Sequence, residues 1–304
     1  MNLKFYIIYT SESFSKLTLA INSLLNFSNY HYILVGNGLS SSEAQEIELF
    51  VKKSSRLSFL DLPGNVTVPH GTALTHLFNT SNDQFFCFMD SDVFAFKDFS
   101  KELESKIAEN DVISSCKPIE WLHKTSISGY RGHCTVSPSG LNIAMTYFAI
   151  YKRLSVNPIL NKYKISFERY MRASQVPKDI HNLLSKKDQH TWKFNTAKLL
   201  NILQAYNGSK LYYQEFDGLI HLGGVSRYSE HTIQGTRKSI NSNNTQAVDR
   251  VKSRCYFHEL LTNIEQEKFV FPKLDLKDTL FETSIRNVSQ KLILLYQSLK
   301  KGIK

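Results

Sequence analysis

The first hundred residues alternate between two hydrophobic periods, and this alternation limits the fold more than any other feature of the chain. Short apolar runs typical of strands occur in KFYIIYT, YHYILVGNG, LSFLDLP and QFFCFMDSD. Apolar residues at helical spacing separate them, in SFSKLTLAINSLLNF, SSSEAQEIELFVKKS and HGTALTHLFNTSN. Strands that alternate with helices in this way indicate stacked βαβ units. The sequence therefore predicts an α/β fold with a mostly parallel sheet flanked by helices.

The fourth predicted strand ends in two aspartates, Asp90 and Asp92, directly after the apolar residues 85–89. Burying an unpaired carboxylate is costly, so a pair at this place requires a partner. Residues 10–12 and 36–38 are polar or glycine and follow the first two predicted strands. Ligands of parallel α/β sheets bind outside the carboxyl ends of the strands. We therefore expect a polar site at this edge.

Two carboxylates one residue apart at the end of a buried strand can bind one cation, directly or through water. Mg²⁺ and Mn²⁺ prefer oxygen ligands and often keep substrate phosphates in their coordination shell. Such a metal neutralises a diphosphate and helps it to leave. The spacing alone also fits a capped turn or the start of a helix.

The net charge of +10 and the pI of about 9.3 favour polyanionic partners. Nucleic acid is not among the expected partners, because no helix-turn-helix, zinc pattern or RNP-type strand is present. The four cysteines are scattered, which is typical of a reduced compartment. Neither a signal peptide nor a membrane span is predicted. We expect a cytoplasmic protein.

The C-terminal stretch RNVSQKLILLYQSLKKGIK spaces four apolar residues as a helix does: Val288, Leu292, Leu295 and Leu299. With its lysines, this helix fits peripheral contact with an anionic membrane at the inner face. It fits equally well a helix packed on its own domain. We predict a catalytic domain over residues 1–235 and a helical extension over residues 236–304.

Three stretches resemble the nucleotide-sugar-dependent glycosyltransferases of the GT-A fold, in particular the large inverting family-two group. They are FYIIYTSESFSKLTLAINSLL, YILVGNGLSS and HGTALTHLFNTSNDQFFCFMDSDVF. The resemblance covers about residues 1–100 and continues in patches to about residue 225. It implies transfer of a sugar from a nucleotide-diphosphate sugar to a glycan or lipid-linked acceptor, as in polysaccharide biosynthesis. It further implies a Mn²⁺ or Mg²⁺ cofactor and inversion at the sugar.

The resemblance also implies which residues bind the donor. Asp90 would face the ribose, and Asp92 would bind the metal that bridges the diphosphate. In that family the turn after the second strand usually offers an aspartate to the nucleobase, whereas this chain has Gly-Asn-Gly there. The identity of the base therefore stays open. The predicted donor-binding residues are Thr10, Ser11, Glu12, Asn37, Asp90, Ser91 and Asp92.

His221 is the predicted third metal ligand, beside Asp90 and Asp92. Many GT-A enzymes complete the metal shell with a histidine late in the chain, and an imidazole suits Mn²⁺. Gly223 and Gly224 follow it closely and would let the backbone approach a phosphate. The alternative is a buried histidine that is hydrogen-bonded in a turn.

An inverting transfer needs a general base for the acceptor hydroxyl. In the family this is usually a carboxylate near the start of a helix on the acceptor side. Asp188, which opens DQHTWKFNTAKLL, fits that position, with Glu168 and Asp179 as further candidates. Aspartate is also a favoured N-cap residue, so the position has a purely structural explanation too.

Two other functions are compatible with parts of the sequence. FCFMDSDV matches the motif of haloacid-dehalogenase-like Mg²⁺-dependent phosphotransferases, but that motif normally opens the chain and a late aspartate pair is missing here. The positive charge alone would suit a non-enzymatic polyanion-binding protein.

Overall fold

The computed structural model describes residues 3–64, 66–114, 134–136, 142–144, 147–181, 194–213, 216–225, 245–274, 276 and 279–302. Within these ranges a seven-stranded sheet is accompanied by two smaller sheets and eight α-helices. The strands are β1 (Lys4–Thr10), β2 (His31–Asn37), β3 (Leu57–Asp61), β4 (Phe85–Asp90), β5 (Val93–Ala95), β6 (Val112–Ser114), β7 (Cys134–Val136), β8 (Asn142–Ala144), β9 (Phe148–Lys152), β10 (Leu211–Tyr213) and β11 (Leu219–His221). The helices are α1 (Phe14–Phe27), α2 (Ser41–Val51), α3 (His70–Thr80), α4 (Ser100–Ile107), α5 (Arg153–Tyr163), α6 (Lys198–Tyr206), α7 (Thr245–Glu265) and α8 (Thr279–Gly302).

The main sheet has the order β10-β6-β9-β4-β1-β2-β3. β9 is antiparallel to both of its neighbours, and the other pairings are parallel. The four strands and three helices predicted for the first ninety residues are all present, in the predicted order. The predicted mostly parallel α/β sheet with flanking helices is therefore confirmed.

Alternating side chains of the sheet enter two different hydrophobic cores. In β1, Phe5, Ile7 and Tyr9 face the core built with α1, α4, α7 and α8. Tyr6 and Ile8 face the opposite core, built with α3, α5 and α6. This period of two is the geometry of a strand, and burial on both faces explains why the strands read as continuous apolar runs. The sheet is thus the middle layer of three.

The apolar pattern of LNIAMTYFAIYKR is that of one strand, but the stretch forms two, β8 and β9. β8 pairs with β7. Only β9 joins the main sheet, between β4 and β6. Two short apolar strands in succession have the same periodicity as one longer strand, so the pattern could not separate them.

The helix predicted to begin at Asp188 begins ten residues later, at Lys198. Phe194 forms an antiparallel bridge with Tyr170, with N–H···O distances of 2.7 Å in both directions. A residue in a β-bridge has extended backbone, so the helix cannot run through Phe194. The prediction of a continuous helix was wrong here, and Asp188 itself lies outside the described residues.

The apolar face of α8 packs against its own chain. Leu292 and Leu295 are buried, and Val288 and Leu299 pack against the same core. This is the second of the two arrangements left open by the sequence. No helix in the described part of the chain has the length and hydropathy needed to span a membrane. The predicted boundary at residues 235 and 236 lies outside the described residues, so the division into two domains stays a prediction.

Gly71, the second residue of α3, allows a close approach of the chain segment around Glu168. A Cβ atom at residue 71 would lie 2.7 Å from the Glu168 Cα and 2.7 Å from the Phe167 carbonyl oxygen. The Phe167 N–H donates to the Thr75 hydroxyl at 3.2 Å, which fixes the same contact from the next turn of the helix. The Phe167 ring is fully buried and contacts Phe78 of α3 and Phe86 of β4. The absence of a side chain at residue 71 therefore lets residues 167–168 pack on α3.

We expect Gly71→Ala to lower the free energy of unfolding by about 1–3 kcal/mol, the usual cost of overpacking. This loss should outweigh the gain in helix propensity, which is at most about 1 kcal/mol. Urea unfolding followed by circular dichroism measures the difference. Thr72→Ala, in the same turn, is the control and should have little effect. Equal stability of wild type and Gly71→Ala would mean that the backbone can yield at this contact.

Candidate functional site

The three predicted metal ligands lie together at the carboxyl edge of the sheet. Asp90 ends β4, Asp92 follows two residues later, and His221 ends β11. The His221 Nε2 is 3.1 Å from Asp92 Oδ1 and 3.4 Å from Asp90 Oδ2. One ligand atom from each residue lies within 4.8 Å of the others. A single ion could therefore contact all three side chains.

The pairing of β5 with β11 brings His221 to the two aspartates. The two strands are antiparallel, and His221 is opposite Val93, the residue after Asp92. The Leu222 N–H continues the pairing by donating to the Asp92 carbonyl oxygen at 3.1 Å. The sequence predicted a strand before His221 but not the partner of that strand. The register alone places residues more than 120 positions apart in contact.

Backbone N–H groups hold the buried carboxylate of Asp92. Its side chain is 0% exposed, and Oδ2 accepts from the N–H groups of Gly224 at 2.7 Å and Val225 at 2.9 Å. Gly223 and Gly224 have φ angles of 81° and 85°, in the left-handed region that favours glycine. The glycines were expected to approach a phosphate. In the structure they bring N–H groups to Asp92.

Arg254 supports this glycine turn from α7. Its Nε–H donates to the Gly223 carbonyl oxygen at 2.9 Å. A Cβ atom on Gly224 would lie 3.3 Å from the same nitrogen, so the guanidinium packs directly on the turn. The sequence analysis missed this residue, because nothing local distinguishes it from the other basic residues of α7. Arg254 thus acts on Asp92 indirectly, through the Gly223–Gly224 turn.

The charges of Asp92 and His221 stabilise each other. Burial alone would lower the pKa of His221, but the attraction of Asp92 and Asp90 raises it to about 10. Burial alone would raise the pKa of Asp92, but His221 and the two backbone N–H groups bring it below its ordinary value. Without a metal, the two groups form an imidazolium–carboxylate pair.

The same atoms fit a divalent cation. Asp92 Oδ1 and His221 Nε2 are buried and, within the described residues, neither has an aligned hydrogen-bond partner although they are close. A shared ion would satisfy both atoms. Two carboxylates and one imidazole are a donor set that Mn²⁺ and Mg²⁺ accept, and Asp90 leaves the site open because its side chain is 30% exposed.

Tyr147 and His70 border the cluster, and the sequence analysis identified neither. The Tyr147 ring stacks on the His221 imidazole, with ring centroids 4.2 Å apart. Its carbonyl oxygen accepts the Asp90 N–H at 2.7 Å. His70, the first residue of α3, places Nε2 4.0 Å from Asp90 Oδ1. The one available signal was the position of His70 at the start of a helix predicted to follow the third strand.

The ends of β1 and β2 lie at the same edge as the aspartates. Ile8 pairs with Asp90, and Thr10 pairs with Asn37. The predicted residues Thr10, Ser11 and Glu12 therefore lie in the turn from β1 to α1, at the same edge of the sheet as Asp90. Ser91 lies between the two aspartates, with its side chain buried.

Glu43 joins the turn after β1 to the start of α2. Its carboxylate accepts from the Ser11 hydroxyl at 3.2 and 3.1 Å, from the Glu12 N–H, and from the Ser40 N–H at 2.8 Å. Ser40 and Glu43 form a capping box, which the sequence Ser-x-x-Glu predicts. Burial raises the pKa of Glu43, but these hydrogen bonds outweigh burial and lower it. The Ser11 hydroxyl is thus already engaged by the protein.

The side chain of Asn37 is engaged in the same way. Its amide nitrogen donates to the Val68 carbonyl oxygen at 3.0 Å, and its oxygen accepts the Val68 N–H at 2.9 Å. Asp61, at the end of β3, instead lies over the glycine before Asn37. A Cβ atom on Gly36 would overlap the Asp61 Oδ1. An exposed carboxylate therefore lies beside the Gly-Asn-Gly turn, and it comes from the next strand.

Two of the three candidate bases lie in the described part of the chain, and Asp188 lies outside it. Glu168 packs against Gly71, the neighbour of His70. Asp179 lies in the short 3₁₀ helix Lys178–Ile180.

The fold and the cluster together define a class of protein. It is an α/β domain with two carboxylates and one imidazole at the carboxyl edge of a mostly parallel sheet, where phosphate-containing ligands bind through a divalent cation. Residues 6–131 match the family model described as Glycosyl transferase family 2. This segment, less than half of the chain, is similar to that family, and the described sheet has the mostly parallel α/β architecture that the resemblance implies. The match includes Asp90 and Asp92, which disfavours the haloacid-dehalogenase-like alternative.

Several solved structures are similar to parts of the chain, and no curated protein sequence matches it. A structure of S. aureus TarS is 16% identical with a TM-score of 0.41, and the match covers 89% of this chain and 44% of that chain. TarS 1–349 in complex with UDP-GlcNAc is 17% identical with a TM-score of 0.42, covering 84% and 72% of the two chains. The mannosyltransferase PcManGT from Pyrobaculum calidifontis, in complex with GDP-Man and Mn²⁺, is 10% identical with a TM-score of 0.44, covering 97% and 84%. TM-scores below 0.5 do not by themselves establish a fold or an activity.

The raised pKa of His221 predicts a pH-dependent stability for the metal-free protein. The folded-state pKa of about 10 is above the ordinary 6.5, so protonated His221 stabilises the fold fully below about pH 6.5. This contribution is lost progressively as the pH rises towards 10. The difference in unfolding free energy between wild type and His221→Gln, measured in chelator, should therefore shrink between pH 6 and pH 9.

The control for this measurement is His76→Gln, on the exposed side of α3. Its difference from wild type should stay small and constant over the same pH range. A pH-independent difference for His221→Gln would contradict the imidazolium–carboxylate pair.

Proposed function

We propose that the protein transfers a sugar from a nucleoside-diphosphate sugar to a glycan or lipid-linked acceptor, with inversion and with the help of a divalent cation. The observation that carries this proposal is the cluster of Asp90, Asp92 and His221 at the carboxyl edge of a domain similar to the family-two glycosyltransferases. Two of the three ligand atoms, Asp92 Oδ1 and His221 Nε2, are buried and have no aligned hydrogen bond within the described residues. A bound cation would compensate for their lost hydration, which supports the proposal.

Asp90, Asp92 and His221 would hold the cation, Mn²⁺ or Mg²⁺. When bound, the cation neutralises the diphosphate and makes it a better leaving group. The N–H groups of Gly224 and Val225 bind Asp92 Oδ2 and so fix the orientation of the carboxylate. The other oxygen, Oδ1, therefore points in one fixed direction, towards His221. Asp90 is more exposed and faces the side from which a donor can enter. The two carboxylates thus have different roles, one anchoring and one facing the ligand.

The turn formed by Thr10, Ser11 and Glu12 would receive the nucleotide. Glu43 holds this turn through the Ser11 hydroxyl and the Glu12 N–H, so its backbone shape is set before a ligand binds. Ser91, between the two aspartates, would contact the sugar or ribose. A rigid turn lowers the entropic cost of binding.

Asp61 would contact the nucleobase in place of the aspartate expected in the Gly-Asn-Gly turn. Asn37 is occupied by Val68, whereas the Asp61 carboxylate is exposed beside Gly36. A carboxylate accepts hydrogen bonds, so it would select a base that presents a ring N–H, such as uracil or guanine. Asn37 would then shape the pocket by holding the loop of residues 66–68.

Asp188 would take the proton from the acceptor hydroxyl as general base. This assignment follows the resemblance to the family, with Glu168 and Asp179 as alternatives. Glu168 has the better support of the two, because its backbone packs on Gly71 next to His70, which borders the cluster.

Nucleotide-sugar binding should depend on a divalent cation and on Asp92. In a thermal-shift panel of nucleoside diphosphates and nucleotide sugars, at least one ligand should raise the melting temperature by several degrees with Mn²⁺ and much less in chelator. Asp92→Asn and the more exposed Asp90→Asn should both lose this metal-dependent shift. Asp98→Asn is the matched control, since Asp98 is exposed, accepts a hydrogen bond from the Ser100 N–H and lies outside the cluster.

An equally large thermal shift in chelator would contradict metal dependence, but it would not contradict the proposed sugar transfer. A normal metal-dependent shift in both Asp90→Asn and Asp92→Asn would overturn the assignment of the cluster.

Asp188→Asn should keep the donor affinity and lose transfer by roughly 10² or more, the usual size of a general-base effect. An N-cap aspartate would instead be replaced by asparagine almost without loss. Transfer to an oligosaccharide acceptor and donor binding are measured for Asp188→Asn, Glu168→Gln and Asp179→Asn. Near-normal transfer by Asp188→Asn, with loss in Glu168→Gln, would assign the base to Glu168.

A further inference from the structure

Three consecutive apolar residues stand exposed on the turn that follows α7. Phe269, Val270 and Phe271 are 42%, 65% and 41% exposed. Pro272, Leu274 and Leu276 are buried, so the chain buries apolar groups directly after the triplet but not in the triplet itself. Contiguous exposed apolar groups of this kind mark interaction sites more often than scattered single residues do.

Hydrogen bonds at the end of α7 fix the triplet in its outward position. The Glu267 N–H donates to the Ile264 carbonyl oxygen at 3.0 Å, and the Lys268 N–H donates to the Asn263 carbonyl oxygen at 2.8 Å. This pair of bonds is a Schellman motif, with Glu267 in the left-handed conformation that glycine usually takes. The Asn263 side chain also donates to the Val270 carbonyl oxygen at 3.3 Å.

A narrow apolar cleft adjoins the triplet. It lies between α1, α7 and α8, has a volume of about 180 Å³, and is lined mainly by Leu19, Leu261, Ile264, Tyr296 and Leu299. The Phe269 ring contacts the Tyr296 ring, with centroids 5.9 Å apart, so the cleft and the triplet form one continuous apolar surface. None of the residues of the proposed active site contributes to this surface.

Lysines surround this apolar surface. Lys268 and Lys273 flank the triplet in sequence and are exposed. Lys16 and Lys300 line the cleft, and Lys301 follows at the end of α8. Two glutamates partly offset them: Glu267 is paired with Lys300, and Glu265 lines the cleft. The net charge of the surface is positive, in keeping with the +10 of the chain.

We propose that this surface, formed by residues 268–273 and the adjoining cleft, docks on an anionic lipid bilayer. Phe269, Val270 and Phe271 would enter the headgroup region, and the lysines would contact lipid phosphates. The charge pattern favours this partner, because the lysines are complementary to anionic lipid headgroups and the apolar residues to the acyl chains beneath them. The surface shares Leu299 with the apolar face of α8, whose other residues pack on the core, and the proposal does not depend on metal or donor binding.

Sedimentation with vesicles tests the proposal. The wild-type chain should bind vesicles of phosphatidylglycerol and phosphatidylcholine, and bind pure phosphatidylcholine at least tenfold more weakly at low salt. Val270→Glu should reduce binding to the anionic vesicles by about tenfold. Lys268→Gln with Lys273→Gln should reduce it by roughly 25-fold, from about fivefold for each lysine near a charged membrane. Added salt should diminish the effect of the lysine variant more than that of Val270→Glu.

Matched controls come from α5, which packs on the opposite face of the sheet. Leu154→Glu introduces a charge at a residue that is 74% exposed, and Lys162→Gln with Lys164→Gln removes two exposed lysines. Both should bind vesicles as the wild type does. Hydrogen exchange provides a second measurement without any substitution, since residues 266–274 should become protected when anionic vesicles are added.

Three results would overturn the proposal. Absence of vesicle binding by the wild type, or equal binding to anionic and neutral vesicles, would exclude an anionic bilayer. Equal losses in the α5 controls would show that only net charge matters. A change from dimer to monomer in Val270→Glu, with no change in vesicle binding, would make the surface an interface between copies of the chain.

Discussion

The candidate site depends on one buried charge, the carboxylate of Asp92. A buried carboxylate persists only when charge or hydrogen bonds compensate for its lost hydration. Here the imidazole of His221 lies on one oxygen, and two backbone N–H groups bind the other. Each of these partners comes from the chain segment 221–225, so the carboxylate and that segment require one another.

This mutual requirement links the end of the chain to its beginning. The β5–β11 pairing brings His221 to the site, and Arg254 of α7 holds the glycine turn that follows. α7 and α8 in turn pack against α1 and share its hydrophobic core. α7 therefore contributes to the site through Arg254, which holds the turn that binds Asp92, and α8 packs on the same core as α7.

Periodicity predicted the first ninety residues well, because each strand is buried on both faces and each helix has one apolar face. Prediction was poorer where local pattern and tertiary contacts disagree. The bridge between Phe194 and Tyr170 displaced the start of α6, and the pairing of β7 with β8 divided a predicted strand. Helical spacing in residues 188–206 was present in the sequence, but it could not reveal that residue 194 pairs with a residue 24 positions earlier.

By itself the sequence determined the strand and helix order of the first ninety residues and the edge at which polar residues collect, because these follow from side-chain type and short-range spacing. The family resemblance added the prediction that Asp90, Asp92 and His221 lie together. Only the tertiary structure decided that Gly223 and Gly224 serve Asp92, that Asn37 is occupied by Val68, and that Asp61 stands beside Gly36. It also decided which apolar residues stay exposed after α7. Such outcomes depend on contacts between distant segments, and the hydrogen-bond partner of a side chain is not encoded in its immediate neighbours.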